Sequence, residues 1–297
     1  MNRPTFLVIG EALVDVLRQD TLTTRYPGGS PTNVAVGLAR LGHPTTELCY
    51  LGDDEDGALL RTHLREAGVH EHPAALTASA SSVAEVRLDA AGDATYDFSV
   101  AWDVPSTIDW TGIDAVHAGS IALVLEPGAT HVLELLDSRP KGIRVTIDPN
   151  VRRSFLPATD PASHLEPFFA LADLVKLSDE DAAVIYPGAA PETVLARLLE
   201  LGPTIAAITL GADGALLATR RATVAVPAHS SGVVDTVGAG DSFMAALVSA
   251  VAESGAWDPD AVRLREFGQW AASAAGITVS RAGADLPTRA ELESASA

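Results

Sequence analysis

From Asp114 to Gly211 the chain alternates apolar runs with helical stretches and has little between them: AVHAGS, a helix over Ala129 to Leu136, RVTID, a further helix, LVKLS, helices again, then TIAAITLG. Parallel strands cannot be joined by tight hairpins and need crossover connections, so this alternation specifies a parallel sheet covered by helices. The start of the chain reads the same way. Thr5 to Leu17 is expected to form a first strand, followed by a Gly loop and a helix over Asn33 to Leu41, with Val34, Leu38 and Leu41 on one face and Asn33 placed as N-cap. An apolar run, Leu48 to Leu51, comes next, and GDDEDG announces a helix whose positive dipole end suits its acids. The spacing of those acids does not match a calcium loop. One segment differs in kind: Ser82 to Val100 alternates apolar and polar residues about an AAGD turn and reads as a β-hairpin inserted between helical units. After the alternation come GALLATR and TVAVPA, an antiparallel pair, then two long Ala-rich helices and a tail, ELESASA, expected to fray.

The 297 residues suit one α/β domain, and with 47% hydrophobic but only 5% aromatic residues its core must be built from Ala, Val, Leu and Ile. The formal net charge is -19, Lys141 and Lys176 are the only lysines, and no cluster of arginines occurs. Nucleic acid is therefore excluded as a partner, and any anionic ligand has to be met locally. A single cysteine, Cys49, permits no internal disulfide, which suits the cytoplasm. The amino-terminal FLVIG is interrupted by Glu11 and Asp15 too early for a signal peptide, and the apolar stretch Phe243 to Ala252 is too short to span a membrane. His70 and His72 have no third ligand at metal-site spacing and read as a surface loop, and no GxSxG elbow supports a hydrolase.

In such a sheet, ligands bind beyond the carboxyl ends of the strands, and PGGSPTN, DPNVRR, TLGADG and DTVGAGD all fall there. Neither a dinucleotide fingerprint nor a P-loop is present. Gly238, Ala239 and Gly240 nevertheless open a helix, Asp241 to Val251, whose first N–H groups are free to hold an anion. DTVGAGD is then either a tight turn with an N-capping Asp or an anion site with an acid in its mouth. Such an acid would lower its own pKa and compete with the anion, unless its task is to take the proton of a hydroxyl attacking that anion. That is phosphoryl transfer.

PGGSPTNVAVGLARLG and DTVGAGDSFMAAL, about 200 residues apart, are similar to the two signatures of the ribokinase-like, or PfkB, carbohydrate kinases. GEALVDVL, HAGSIALVLEP and DPNVR add a likeness to the bacterial fructokinases within that family. The resemblance implies one kinase domain over 1–297, of α/β class: a three-layer α/β/α fold with a mostly parallel central sheet and a small β lid contributed mainly by about 12–30 and 82–100. It makes Asp241 the general base and Gly238, Ala239 and Gly240 the anion hole. Asp15, Gly29, Asn33 and Arg152 match substrate-binding positions, Arg152 facing substrate or terminal phosphate, while Thr209, Gly211 and Gly214 match the nucleotide loop. ATP and Mg2+ are the implied cofactors. Where relatives have Asn-x-x-Glu to organise magnesium through water, this chain has Ser178 and Asp181 in KLSDED, which leaves Asp181 and Glu180 as rival candidates. A K+ site would use carbonyls near Asp235 and Thr236 and the SRAGAD segment. The implied reaction is transfer of the γ-phosphate of ATP to a primary hydroxyl of a free sugar, with D-fructose to fructose 6-phosphate foremost. Between Thr77 and Asp109 the only base is Arg87, which disfavours a sugar phosphate as acceptor. A nucleoside, 2-keto-3-deoxygluconate and a catalytically silent sugar or nucleotide sensor are the alternatives, and a homodimer through the lid is the expected assembly.

Overall fold

The structure is a computed structural model that describes residues 3–19, 22–88, 94–156, 160–229 and 232–295. In chain order it runs β1 (Phe6–Ile9), β2 (Leu13–Gln19), β3 (Leu22–Gly28), α1 (Ser30–Arg40), β4 (Thr45–Leu48), β5 (Leu51–Gly52), α2 (Glu55–Ala67), β6 (Val69–Glu71), β7 (Thr77–Ala78), β8 (Ser82–Leu88) and β9 (Ala94–Ser99). The second half follows as β10 (Ala115–Gly119), α3 (Gly128–Ser138), β11 (Arg144–Asp148), α4 (Pro161–Leu171), β12 (Leu174–Ser178), α5 (Asp179–Ile185), α6 (Pro191–Leu201), β13 (Ile205–Thr209), β14 (Ala215–Thr219), β15 (Ala222–Val226), α7 (Ala239–Ser254), α8 (Ala261–Val279) and α9 (Arg289–Ala295).

A nine-stranded sheet forms the centre, in the order β15-β14-β13-β12-β11-β10-β1-β4-β6. Every neighbouring pair from β6 to β13 is parallel, and β14 and β15 close the sheet as an antiparallel pair. The inner strands are buried on both faces, which is why they read as continuous apolar runs. One face packs on α1, α2, α7 and α8 through Val8, Val34, Leu38, Met244, Leu247 and Phe267; the other packs on α3 to α6 through Ile9, Val132, Phe169, Val175 and Leu198. This is the three-layer, ribokinase-like arrangement that the resemblance implies. A second, four-stranded sheet, β3-β2-β8-β9, stands apart from it, with β2 and β8 parallel and the outer pairs antiparallel. It is built from the two segments expected for the lid; the AAGD turn of its hairpin lies outside the described residues.

Four expectations need correction. Thr5 to Leu17 is not one strand. The chain leaves the large sheet after Ile9 and joins the small one at Leu13, and because both strands are buried the apolar run gave no sign of the break. At Gly10 a Cβ would fall 2.1 Å from the Pro31 ring, so the turn is packed tightly against the start of α1. That helix begins at Ser30 rather than Asn33, with Gly29 at φ 107° as its N-cap, and the Asn33 N–H already bonds to the Gly29 carbonyl at 2.9 Å. His70 and His72 do not form a surface loop: His70 lies on β6, and His72, just after it, is buried. Finally, the tail is helical to Ala295: Leu292 is fully buried, and the Glu291 carboxylate accepts from the Thr288 N–H at 2.7 Å.

Candidate active site

The two helices that face each other across the site begin in the signature loops. Gly29 and Gly238 both hold positive φ, and a Cβ on Gly29 would lie 2.4 Å from the Glu11 carbonyl, so only glycine allows α1 to start so close to the β1–β2 turn. From these starts α1 and α7 bring side chains over 200 residues apart into contact. Ser30 Oγ donates to Asp241 Oδ1 at 2.6 Å, and Asn33 Nδ2 donates to Asp241 Oδ2 at 2.8 Å. Asp241 is buried, with 7% of its surface exposed. The helix ladder starts with Ser242 N–H on the Gly238 carbonyl, and the N–H groups of Gly240 and Asp241 have no backbone acceptor among the described residues. A carboxylate thus sits beside two open donors at a helix N-terminus, the arrangement that phosphoryl transfer asks for.

Burial raises the pKa of Asp241 above the ordinary aspartate value, while the hydrogen bonds from Ser30 and Asn33 and the charges of Lys176 and Arg152 pull it back. The expected lowering is therefore corrected: desolvation raises the pKa by more than these donors and cations lower it. A raised carboxylate is a better proton acceptor, which suits a general base.

Asp15 lies on β2 with room made for it by Gly28, where a Cβ would meet Asp15 Oδ2 at 2.2 Å. Burial raises its pKa too, opposed by the charge of Arg152. Arg152 is exposed in the turn after β11, and its charge is felt by Glu11, Asp15 and Asp241 alike, which places it near Asp15 and near the Asp241 carboxylate that Asn33 holds. Asp148 shapes that turn, accepting from the Asn150 N–H at 3.2 Å.

The nucleotide-loop residues follow β13. Thr209 ends the strand beside Ser178 of β12, Gly211 has φ 54°, and Gly214, at φ 91°, would drive a Cβ to 2.1 Å from the Val226 carbonyl. The β13–β14 hairpin thus requires glycine at 214 for a structural reason of its own. Asp181 forms a capping box with Ser178, and its two oxygens accept from the Val151 and Ser178 N–H groups at 2.7 and 2.8 Å. Glu180 beside it is exposed. Among the described residues, no three His, Cys, Asp or Glu side chains cluster as a metal site. Asp235 ties the loop before α7 to SRAGAD, its carboxylate accepting from Val237 and Gly283 N–H at 3.0 and 2.8 Å, and the Thr236 carbonyl accepts from Ala239 N–H at 3.3 Å.

Sequence reasoning missed the bond from Ser30 to Asp241, although Ser30 stands inside the quoted PGGSPTN, and it missed the buried ion pair in which Lys176 Nζ meets Asp148 Oδ2 at 2.7 Å. The signal for the second was present: a lysine in the middle of LVKLS, one of only two in the chain.

A fructokinase of Rhizobium leguminosarum bv. trifolii is 35% identical over 260 residues, 82% of this chain and 79% of that protein. Among solved structures, fructokinase with bound ATP from Xylella fastidiosa superposes with a TM-score of 0.88 at 28% identity, covering 98% of this chain and 97% of that one. Aminoimidazole riboside kinase from Salmonella enterica, complexed with aminoimidazole riboside and an ATP analogue, gives 0.83 at 27% identity, covering 99% of this chain and 100% of that one. Residues 6–291 match the pfkB family of carbohydrate kinases, so the chain whose signature loops meet at Asp241 belongs to that family.

Proposed function

We propose that this protein is an ATP-dependent fructokinase that phosphorylates the primary 6-hydroxyl of D-fructose. The observation that carries the reading is the Asp241 carboxylate, raised in pKa by burial and aimed by Ser30 and Asn33, beside the open N–H groups of Gly240 and Asp241. As the sugar oxygen attacks the γ-phosphorus, its proton passes to Asp241. The new O–P bond forms while the bond to the β-phosphate oxygen breaks, and ADP leaves with that electron pair. The α7 N-terminus holds the moving charge, and Asp15 and Asn33 accept from and donate to the remaining sugar hydroxyls, each of which needs a partner once buried.

Mg2+ would neutralise the polyphosphate. Asp181 has each oxygen engaged by a backbone N–H group, whereas the exposed Glu180 is the more available of the two acids to order the waters of a metal that arrives with ATP. Thr209, Gly211 and Gly214 line the nucleotide approach in this reading, and the loop held by Asp235 and Thr236 supplies carbonyls for K+. The second sheet acts as the lid, and its outer strands, β3 with the exposed Tyr26 and β9, offer edges for a homodimer. A cytoplasmic location accords with the free, buried Cys49, and no helix among the described residues is long and apolar enough to cross a membrane.

The named activity of the 35%-identical relative supports fructose, and the aminoimidazole riboside kinase keeps a riboside as the second reading. ADP release measured with fructose, ribose, adenosine, aminoimidazole riboside and 2-keto-3-deoxygluconate tests both. Fructose should give the highest kcat/KM, and a riboside or the keto acid in its place would overturn the substrate. Asp241→Asn should lower kcat by about 100- to 10,000-fold with substrate binding retained, and a variant keeping more than about a tenth of wild-type kcat would remove Asp241 as the base.

A further inference from the structure

The face of the large sheet that supports α1 and α7 is not wholly apolar. Glu47 on β4 stands opposite Val8, Val8 opposite His117, and His117 opposite Thr146. Thr146 is in turn opposite Leu174, and residues two apart on a strand share a face, so Asp148 and Lys176 continue the row. All the polar members are buried. Glu47 accepts from Thr32 of α1 at 2.7 Å, and at the other end Lys176 Nζ lies 3.1 Å from the place where a Gly240 Cβ would stand. The ammonium therefore abuts the first turn of α7, at the residue whose missing side chain leaves that space open.

We propose that Lys176 is a positioning residue of the phosphoryl-transfer site: clamped by Asp148, its ammonium holds the first turn of α7 and the Asp241 carboxylate in the geometry that the reaction needs. The inference rests on the kinase reading above. Its warrant is a charge balance in a dry place. Asp148 from β11, Asp181 from α5 and Asp241 from α7 all act on Lys176, while His117 from β10 is kept neutral, its pKa lowered to about 3 by burial and by Lys176. Burial alone would discharge the lysine, yet these three carboxylates raise its pKa and keep it charged. Arg152, the other cation acting on Asp241, is solvent-exposed, whereas Lys176 is buried and held by Asp148. The same Asp148 carboxylate that clamps Lys176 also holds the turn carrying Arg152, which couples both cations to one anchor.

A purely structural ion pair and a positioning cation are separated by a double substitution. Lys176→Met leaves the buried Asp148 carboxylate without its ion-pair partner and should lower the melting temperature whatever the role of Lys176. Lys176→Met with Asp148→Asn removes the pair together, so part of that loss should be recovered. The inference expects kcat of this double variant to stay about 100-fold below wild type, with KM for fructose and for ATP each within about 3-fold. A double variant with kcat within about 3-fold of wild type would overturn it, as would a double variant that does not fold, since Lys176 would then be a scaffold residue. Wild-type protein that releases no ADP with any sugar or nucleoside would instead defeat the kinase reading itself.

Discussion

Ser30→Ala isolates one hydrogen bond to the base without touching the groups that face the sugar. The Ser30 hydroxyl donates to Asp241 Oδ1 at 2.6 Å inside a buried site, so it stabilises the ionised carboxylate and not the protonated one. A hydrogen bond to a charged group contributes about 1.5–3 kcal/mol. At about 1.4 kcal/mol per pKa unit, its loss should push Asp241 up by about 1 to 2 units. The direction adds to the rise that burial already imposes. Because Asp241 must be ionised to accept the proton, the acidic limb of the kcat/KM profile should move to higher pH by at least about 1 unit, while the alkaline plateau stays within about 3-fold of wild type. A steady-state ADP-release assay at saturating ATP, read across pH with circular dichroism as a check of folding, makes the measurement. A folded variant whose acidic limb moves by less than about 0.3 unit would refute the reasoning, because water or Asn33 would then supply all that Ser30 does.

Gly240→Val should cut kcat by about 100-fold in a folded protein, since the new Cβ would stand 3.1 Å from Lys176 Nζ and cover the N–H donors; full activity would reduce the loop to a plain turn. Glu47→Gln should flatten the dependence of stability on pH. The folded pKa of Glu47 is raised by burial to about 8 from 4.5, so its stabilising contribution is complete below the lower value and lost as pH rises through the higher one; melting curves that decline as steeply as wild type between about pH 5 and about pH 9 would rule this out. Saturating fructose should slow hydrogen exchange in β8 and β9, and equal exchange with and without sugar would remove the lid role of the small sheet.

The alternation of strands and helices was legible because a parallel sheet buries both faces of its strands and leaves continuous apolar runs, so AVHAGS, RVTID and LVKLS each became a strand within a residue of expectation. The same property hid the break at Gly10. Two buried strands in succession look like one long strand, and what separates Ile9 from Leu13 is a contact with Pro31, which hydrophobic periodicity does not register. Asn33 was recognised as important but for the wrong local reason. As an N-cap its side chain would have been spent on its own helix, whereas Gly29, needing no side chain at φ 107°, takes the cap and leaves the Asn33 amide for Asp241.

The polar row across the sheet shows where chemistry escapes periodicity altogether. Glu47, His117, Asp148 and Lys176 occupy inward positions that a pattern reader fills with apolar side chains, and each is tolerable only through partners contributed by other elements. Glu47 and Glu11 keep an oxygen without a hydrogen-bond partner, and both are raised toward neutrality, to about 8 and about 7. Asp148 is raised as well, to about 6, even with the Lys176 ammonium beside it. A wall that raises four carboxylates under one pair of helices, Asp241 among them, is a medium of low polarity, and there a single fixed ammonium acts more strongly than it would in water. The base at the mouth of α7 is thus set by two opposed causes that arrive from different directions: desolvation from the sheet beneath it, and hydrogen bonds from α1 beside it. Changing either should move its titration, and Ser30 and Asn33 allow this without disturbing the sheet.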